Sequence, residues 1–127
     1  MCEAAGLDVV AEVVPDDRDA IATALKRLAD LEGVRFIFTT GGTGMTVDDV
    51  TPEATLAVIH RQAPGYAETI RAQSREHTPL GILTRGVSGI RGRTLIVNFP
   101  GSPRAVRQSW PVVEPTLKHA AETLERS

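Results

Sequence analysis

The chain has 127 residues, 42% hydrophobic and 24% charged, enough for one aliphatic core and too few for two domains, so a single domain over 1–127 is expected. Fourteen basic and sixteen acidic side chains leave a formal net charge of −2, which removes the electrostatic case for nucleic acid or an anionic membrane as the main partner. The single cysteine, Cys2, excludes an internal disulfide, and no apolar run approaches the ~20 residues of a membrane span, so a cytoplasmic setting is expected.

Residues 1–5 are helix-compatible, and Gly6 reads as the position that closes such a helix. Residues 7–14 are β-branched and partly alternating, which predicts a strand. Pro15 stops it, and Asp16 or Asp17 offers an N-cap to a helix whose apolar face carries Ile21, Leu25 and Leu28. Gly33 ends that helix. Residues 34–39 then form a nearly continuous apolar run, which suits a strand covered on both faces of an α/β sheet. A glycine turn, Gly41-Gly42-Thr43-Gly44, and an acidic pair, Asp48-Asp49, lead to a helix start at Thr51-Pro52-Glu53 that should run to about Arg61.

Pro64-Gly65 breaks the chain before a further helix over 66–76. Residues 80–87 and 94–99 predict two strands, and the six residues between them are too few for a helical crossover, so antiparallel pairing is expected. Pro100-Gly101-Ser102-Pro103 makes a second turn onto a helix N-terminus, and a closing helix is expected from about Val112. The pattern is an α/β three-layer sandwich with a mostly parallel sheet and one antiparallel strand pair. A parallel sheet of this kind normally opens with a complete βα unit, whereas here only the last turn of a first helix is expected.

The turn over 41–49 is the sharpest chemical signal. Glycines let backbone amides approach phosphate oxygens, a helix start adds favourable dipole, and carboxylates beside phosphates make sense with Mg²⁺ between them. Alone, the same residues could form a tight strand-to-helix turn with a solvated acidic pair. No Gly-Lys-Ser/Thr follows, and the dinucleotide fingerprint is absent. Asp16 lies at a strand end where ligands gather in open α/β sheets. Ser102 and its neighbouring amides could hold a second anion, and Thr84-Arg85-Gly86 could bring a cation to the same rim. His60, His77 and His119 lack metal-ligand spacing, and no serine sits in a nucleophile elbow.

The segments Thr39-Thr40-Gly41-Gly42-Thr43-Gly44, Asp49-Val50-Thr51-Pro52-Glu53-Ala54-Thr55, Pro64-Gly65, Thr84-Arg85-Gly86-Val87 and Asn98-Phe99-Pro100-Gly101-Ser102-Pro103 resemble, in order and spacing, the MogA/MoaB family of molybdenum cofactor biosynthesis. The amino-terminal domain of CinA-type proteins is a more distant resemblance through its glycine turn and Asp-Asp pair. The MogA/MoaB resemblance implies molybdopterin adenylyltransferase activity on ATP and molybdopterin with Mg²⁺. It also implies a homotrimer or a hexamer, and a molybdenum-insertion partner protein.

By motif, the resemblance makes Asp49 and Asp16 the catalytic and metal-holding carboxylates. Gly41, Gly42, Thr43 and Gly44 would line the nucleotide phosphates. Thr84, Arg85 and Gly86, with Pro100, Gly101 and Ser102, would face the pterin or nucleotide. Family members begin with a strand, a loop and a helix before the position of Met1, and Asp48 stands where a basic residue is frequent. Two alternatives follow, a non-catalytic pterin- or nucleotide-binding protein and a CinA-like nucleotide pyrophosphatase. All adenylylation readings require Asp16 and Asp49 to converge on one cation.

Overall fold

The computed structural model describes residues 1–126. Four strands form one mixed sheet in the order β1-β4-β3-β2, where β1 is Phe36–Thr40, β2 Arg61–Gln62, β3 Ser88–Arg91 and β4 Thr94–Phe99. Helices α1 (Arg18–Lys26), α2 (Thr51–Val58), α3 (Pro64–His77), α4 (Pro103–Val113) and α5 (Leu117–Leu124) cover its two faces. Strand β4 explains the layering. All six of its residues are buried, and alternate side chains must leave opposite faces of a strand. Leu95, Val97 and Phe99 pack with Ile70 of α3, Val113 of α4 and Leu117 and Leu124 of α5. Ile96 packs the other way, with Ile37, Ile21 and Leu25 of α1, and Ala54 and Val58 of α2. On the first face Trp110 meets Phe38 edge-on at 5.5 Å, and Phe38 meets Phe99 edge-on at 5.8 Å.

The α/β sandwich is therefore as expected, but the parallel share of its sheet is smaller. Only β1 and β4 run parallel, while β3 is antiparallel to both β4 and β2. The two-residue edge strand after α2 adds the second antiparallel pair. The hairpin itself lies further along the chain than 80–87. Pro79–Leu83 is a 3-10 helix, and the strand facing β4 begins at Ser88. Residues 84–87 look like a strand in sequence, yet side chains take much of their bonding. Asn98 Oδ1 accepts from the Val87 amide at 3.1 Å, and Arg71 of α3 donates to the Gly86 carbonyl at 3.0 Å. A segment held that way cannot also run a regular ladder.

A second expectation is overturned at residues 7–14, which belong to no strand. Val9, Val10 and Val13 are 49%, 75% and 99% exposed. A groove of about 710 Å³, lined by residues of this segment and by β1, Gly41, Gly42 and Thr51, keeps the segment from the sheet. β propensity needs a partner edge in hydrogen-bonding contact, and the open edge of β1 lies across that groove. An exposed ion pair, Arg27 to Glu12 at 2.5 Å, tethers the segment to the π-helical turn Arg27–Leu31 that follows α1. Val13→Lys is therefore expected to change unfolding free energy by less than about 0.5 kcal/mol in urea titration. A paired strand would lose well over that.

Helix ends follow local chemistry. Asp17, not Asp16, caps α1, accepting from the Ala20 amide at 2.9 Å. Helix α2 stops at Val58, short of Arg61, and α3 starts two residues before Tyr66, at Pro64. The last helical stretch begins at Pro103 and is interrupted by the 3-10 turn Glu114–Thr116, where Pro115 lacks the donor an unbroken α-helix needs. Among the described residues, no helix is long and apolar enough to cross a membrane.

Candidate active site at the carboxyl rim of the sheet

Strand β1 ends at Thr40, and the chain turns at once through two left-handed glycines, Gly41 at φ 88° and Gly42 at φ 68°. The turn lies over the carboxyl end of the neighbouring strand, because the Gly41 amide donates to the Phe99 carbonyl at 3.1 Å. Gly101, in the turn after β4, approaches so closely that a Cβ placed on it would lie 3.1 Å from Gly41 Cα. The Gly42 carbonyl accepts from the Thr51 amide at 3.2 Å, which sews the turn to the start of α2. Among the described residues, no protein acceptor takes the amides of Gly42 and Thr43. Two successive unpaired amides at a left-handed turn make a concavity for an anion.

Gly42 is the conformational key. Its backbone lies where L-residues are strained, and a Cβ there would sit 2.3 Å from Thr51 Oγ1. Gly42→Ala is expected to cost at least about 2 kcal/mol in urea unfolding. Gly33→Ala is the control, since that glycine has a positive φ with nothing within 4 Å of its added Cβ. It should cost only about 1 kcal/mol. Equal losses at the two positions would refute the steric account of this turn.

The loop beyond the turn presents Asp49. Its Oδ2 accepts from the Thr46 amide at 3.0 Å and from the Thr46 hydroxyl at 2.9 Å. These bonds, the amide first, hold the Asp49 carboxyl below its ordinary pKa, and the nearby Arg85 charge adds a smaller push the same way. Asp49 is thus an anion fixed in place by Thr46. Asp48 beside it is exposed.

The segment 84–86 closes over this loop. Thr84 and Thr43 join hydroxyl to hydroxyl at 3.1 Å, and the Arg85 amide donates to the Thr43 carbonyl at 2.7 Å. The Arg85 guanidinium pairs with Glu53 of α2 at 2.7 Å. That bond lowers the pKa of Glu53 and raises that of Arg85. Gly86 is buried against Asn98, with a Cβ on it only 3.3 Å from Asn98 Cβ. Ser102 caps α4 through the Ala105 amide at 3.4 Å, leaving Pro100, Gly101 and Ser102 along the rim.

The structure brings together most of the residues singled out in sequence, namely Gly41 to Gly44, Asp49, Thr84 to Gly86 and Gly101. Asp16 stands differently. It is exposed and lines the groove beside β1 with Gly41, Gly42 and Thr51, and Asp49 does not line that groove. Among the described residues, no three His, Cys, Asp or Glu side chains cluster as metal ligands. The donor set still fits a Mg²⁺ ion, which keeps several waters and takes one or two carboxylates plus substrate phosphates.

Asn98 has a role that sequence reasoning missed. It is 1% exposed, and its Nδ2 donates to Thr39 Oγ1 at 2.9 Å and to Thr55 Oγ1 at 3.1 Å. With the Val87 amide on its Oδ1, this one side chain ties β1, α2 and the 84–87 segment to β4 directly beneath the turn. The available signal was a lone amide side chain in an otherwise apolar strand end.

Comparison with known proteins identifies the family. The family described as "Probable molybdopterin binding domain" matches residues 1–119. The chain is similar to the molybdopterin adenylyltransferase of Helicobacter pylori (strain ATCC 700392 / 26695), 36% identical over 118 residues, 93% of this chain and 67% of that protein. It is also similar to the molybdenum cofactor synthesis protein cinnamon of Drosophila melanogaster, 39% identical over 120 residues, 94% of this chain but 20% of that protein. Its structure superposes on the molybdopterin biosynthesis Mog protein from Mycobacterium ulcerans with a TM-score of 0.85 at 36% identity, covering 97% of this chain and 80% of the other. The chain therefore spans only a fifth of the Drosophila relative and about two thirds of the bacterial one. A match along nearly its whole length, on a mixed α/β sheet with the glycine turn at its carboxyl rim, places this chain in the molybdopterin-binding domain family of molybdenum cofactor biosynthesis.

Proposed function

We propose that this chain, acting over 1–127 as one domain, adenylylates molybdopterin, with ATP as donor and pyrophosphate as the second product. The observation that carries this reading is the pair of unpaired amides at Gly42 and Thr43, set beside a carboxylate held ionised at Asp49. The turn Gly41 to Gly44 receives the phosphates of ATP. Thr84 and Gly86, with Pro100, Gly101 and Ser102, face the pterin or the nucleotide base.

In the reaction, an oxygen of the molybdopterin phosphate attacks the α-phosphorus of ATP. A new P–O bond forms as the bond to the β-phosphate bridging oxygen breaks, and the electron pair leaves with pyrophosphate. Two anions must approach each other, so the work of the site is alignment and charge neutralisation, with no covalent protein nucleophile. Asp49, with Asp16 as the second carboxylate, would hold Mg²⁺, and the ion would supply neutralisation of phosphate charge. The protein works in the cytoplasm as a homotrimer or a pair of trimers and passes its product to a molybdenum-insertion partner. Exposed Leu80, Ile82 and Leu83, 45–68% accessible, support subunit contact on that side.

The test is product analysis after incubating the chain with molybdopterin and Mg²⁺-ATP. Adenylylated molybdopterin and pyrophosphate should appear in equal amounts. A free mononucleotide with unmodified pterin would instead favour pyrophosphatase chemistry.

A further inference from the structure

The guanidinium of Arg85 has five N–H donors, and four polar contacts already engage it. Nε donates to the Gly44 carbonyl at 2.7 Å, and Nη2 to the Asp49 carbonyl at 2.6 Å. Nη1 donates to Glu53 Oε2 at 2.7 Å, and Nη2 reaches Glu53 Oε1 at 3.3 Å. One donor remains, on Nη1. A planar fork grips phosphate through two adjacent N–H groups, and here that pair is not available without breaking the bond to Glu53. Moreover, the two carbonyls it holds belong to the first and last residues of the loop 44–49. The side chain is itself only 34% exposed, and its own amide is fixed to Thr43.

We propose that Arg85 is a positioning residue, a clasp that closes the 44–49 loop at both ends and thereby aims Asp49, and not a ligand clamp. Glu53 is the anchor that orients the clasp from the first turn of α2. Opening the loop frees Asp49 from the geometry in which Thr46 holds its Oδ2, while the amides of Gly42 and Thr43 remain available to phosphate. The kinetic consequence rests on the adenylylation reading; the structural consequence does not.

Two readouts on Arg85→Gln and Arg85→Lys test the clasp. In amide hydrogen exchange on the intact chain, the Thr46 N–H should exchange at least about tenfold faster in both variants, because its acceptor loses its place. In AMP transfer, kcat should fall roughly 10²-fold while KM for ATP stays within about twofold, as misplacement by about an ångström predicts. Lysine should not rescue, since one ammonium cannot span two carbonyls and a carboxylate. Unchanged exchange at Thr46, with KM raised about tenfold and rescue by lysine, would overturn the clasp and make Arg85 a phosphate ligand. Should either Arg85 variant fail to fold, Glu53→Gln loosens the same clasp from its anchor and should accelerate Thr46 exchange in a chain with native circular dichroism. Unchanged exchange in that variant would equally overturn the proposal. Absence of AMP transfer in the unaltered protein would defeat the adenylylation reading, and the exchange result would still decide the clasp.

Discussion

Asp49→Asn is expected to lower AMP transfer by roughly 10²–10³-fold, the usual cost of removing one group that offsets charge at a reacting centre. Asparagine keeps the shape and can still accept from Thr46, so the loop should hold while the negative charge is lost. Substrate affinity should change less than turnover, because Gly42 and Thr43 still offer their amides. A variant within about threefold of the original rate would remove Asp49 from the chemistry altogether.

The same carboxylate sets a direction for pH. Its pKa is lowered in the folded chain by the Thr46 amide first and the Thr46 hydroxyl second. Its contribution to loop order is therefore fully present above the unfolded value of about 3.9 and is lost as pH falls through the lower folded value. A carboxyl titration followed by NMR should show Asp49 still ionised where Asp residues of an unfolded peptide are half protonated. Thr46→Val should move its pKa upward.

Asn98→Ala is expected to give the largest loss of stability, about 3 kcal/mol, with Tm lower by roughly 10 °C. The substitution strands the Val87 amide and leaves the Thr39 and Thr55 hydroxyls without their shared donor, in a site 1% exposed. Thr55→Val removes one acceptor of the same network and keeps the shape, so about 1 kcal/mol is expected. Both values come from urea unfolding with an unchanged m-value. An Asn98→Ala loss below about 1 kcal/mol would mean that the side chain only fills space. Because Asn98 lies beneath both the glycine turn and Gly86, turnover of the surviving folded fraction should fall as well.

Much of this site was legible before any fold was known. The glycine run, Asp49 and the Thr-Pro-Glu helix start lie within a few residues of one another, and short-range order of that kind follows from local chemistry. Even there, neighbours shifted the details. Thr51, at the expected helix start, is buried in the first turn of α2, with Val50 at the cap position and the Thr51 amide donating to the Gly42 carbonyl. Asp17 did become a cap, and its neighbour Asp16 was left exposed on a groove.

Local composition fixes the class of element at most positions: apolar runs that must be buried, glycines that must turn, and the motifs that mark the family. Long-range packing settles which edges find partners. Residues 7–14 have strand composition but no ladder, with a groove between them and the open edge of β1, while Ser88–Arg91 gained its ladder between β4 and β2. It also decided where long side chains point. Arg85 looked free to meet a ligand, and the surrounding carbonyls of Gly44 and Asp49 with Glu53 claimed it instead. Backbone pairing and guanidinium direction both depend on groups distant in the chain, so local propensity has no purchase on either.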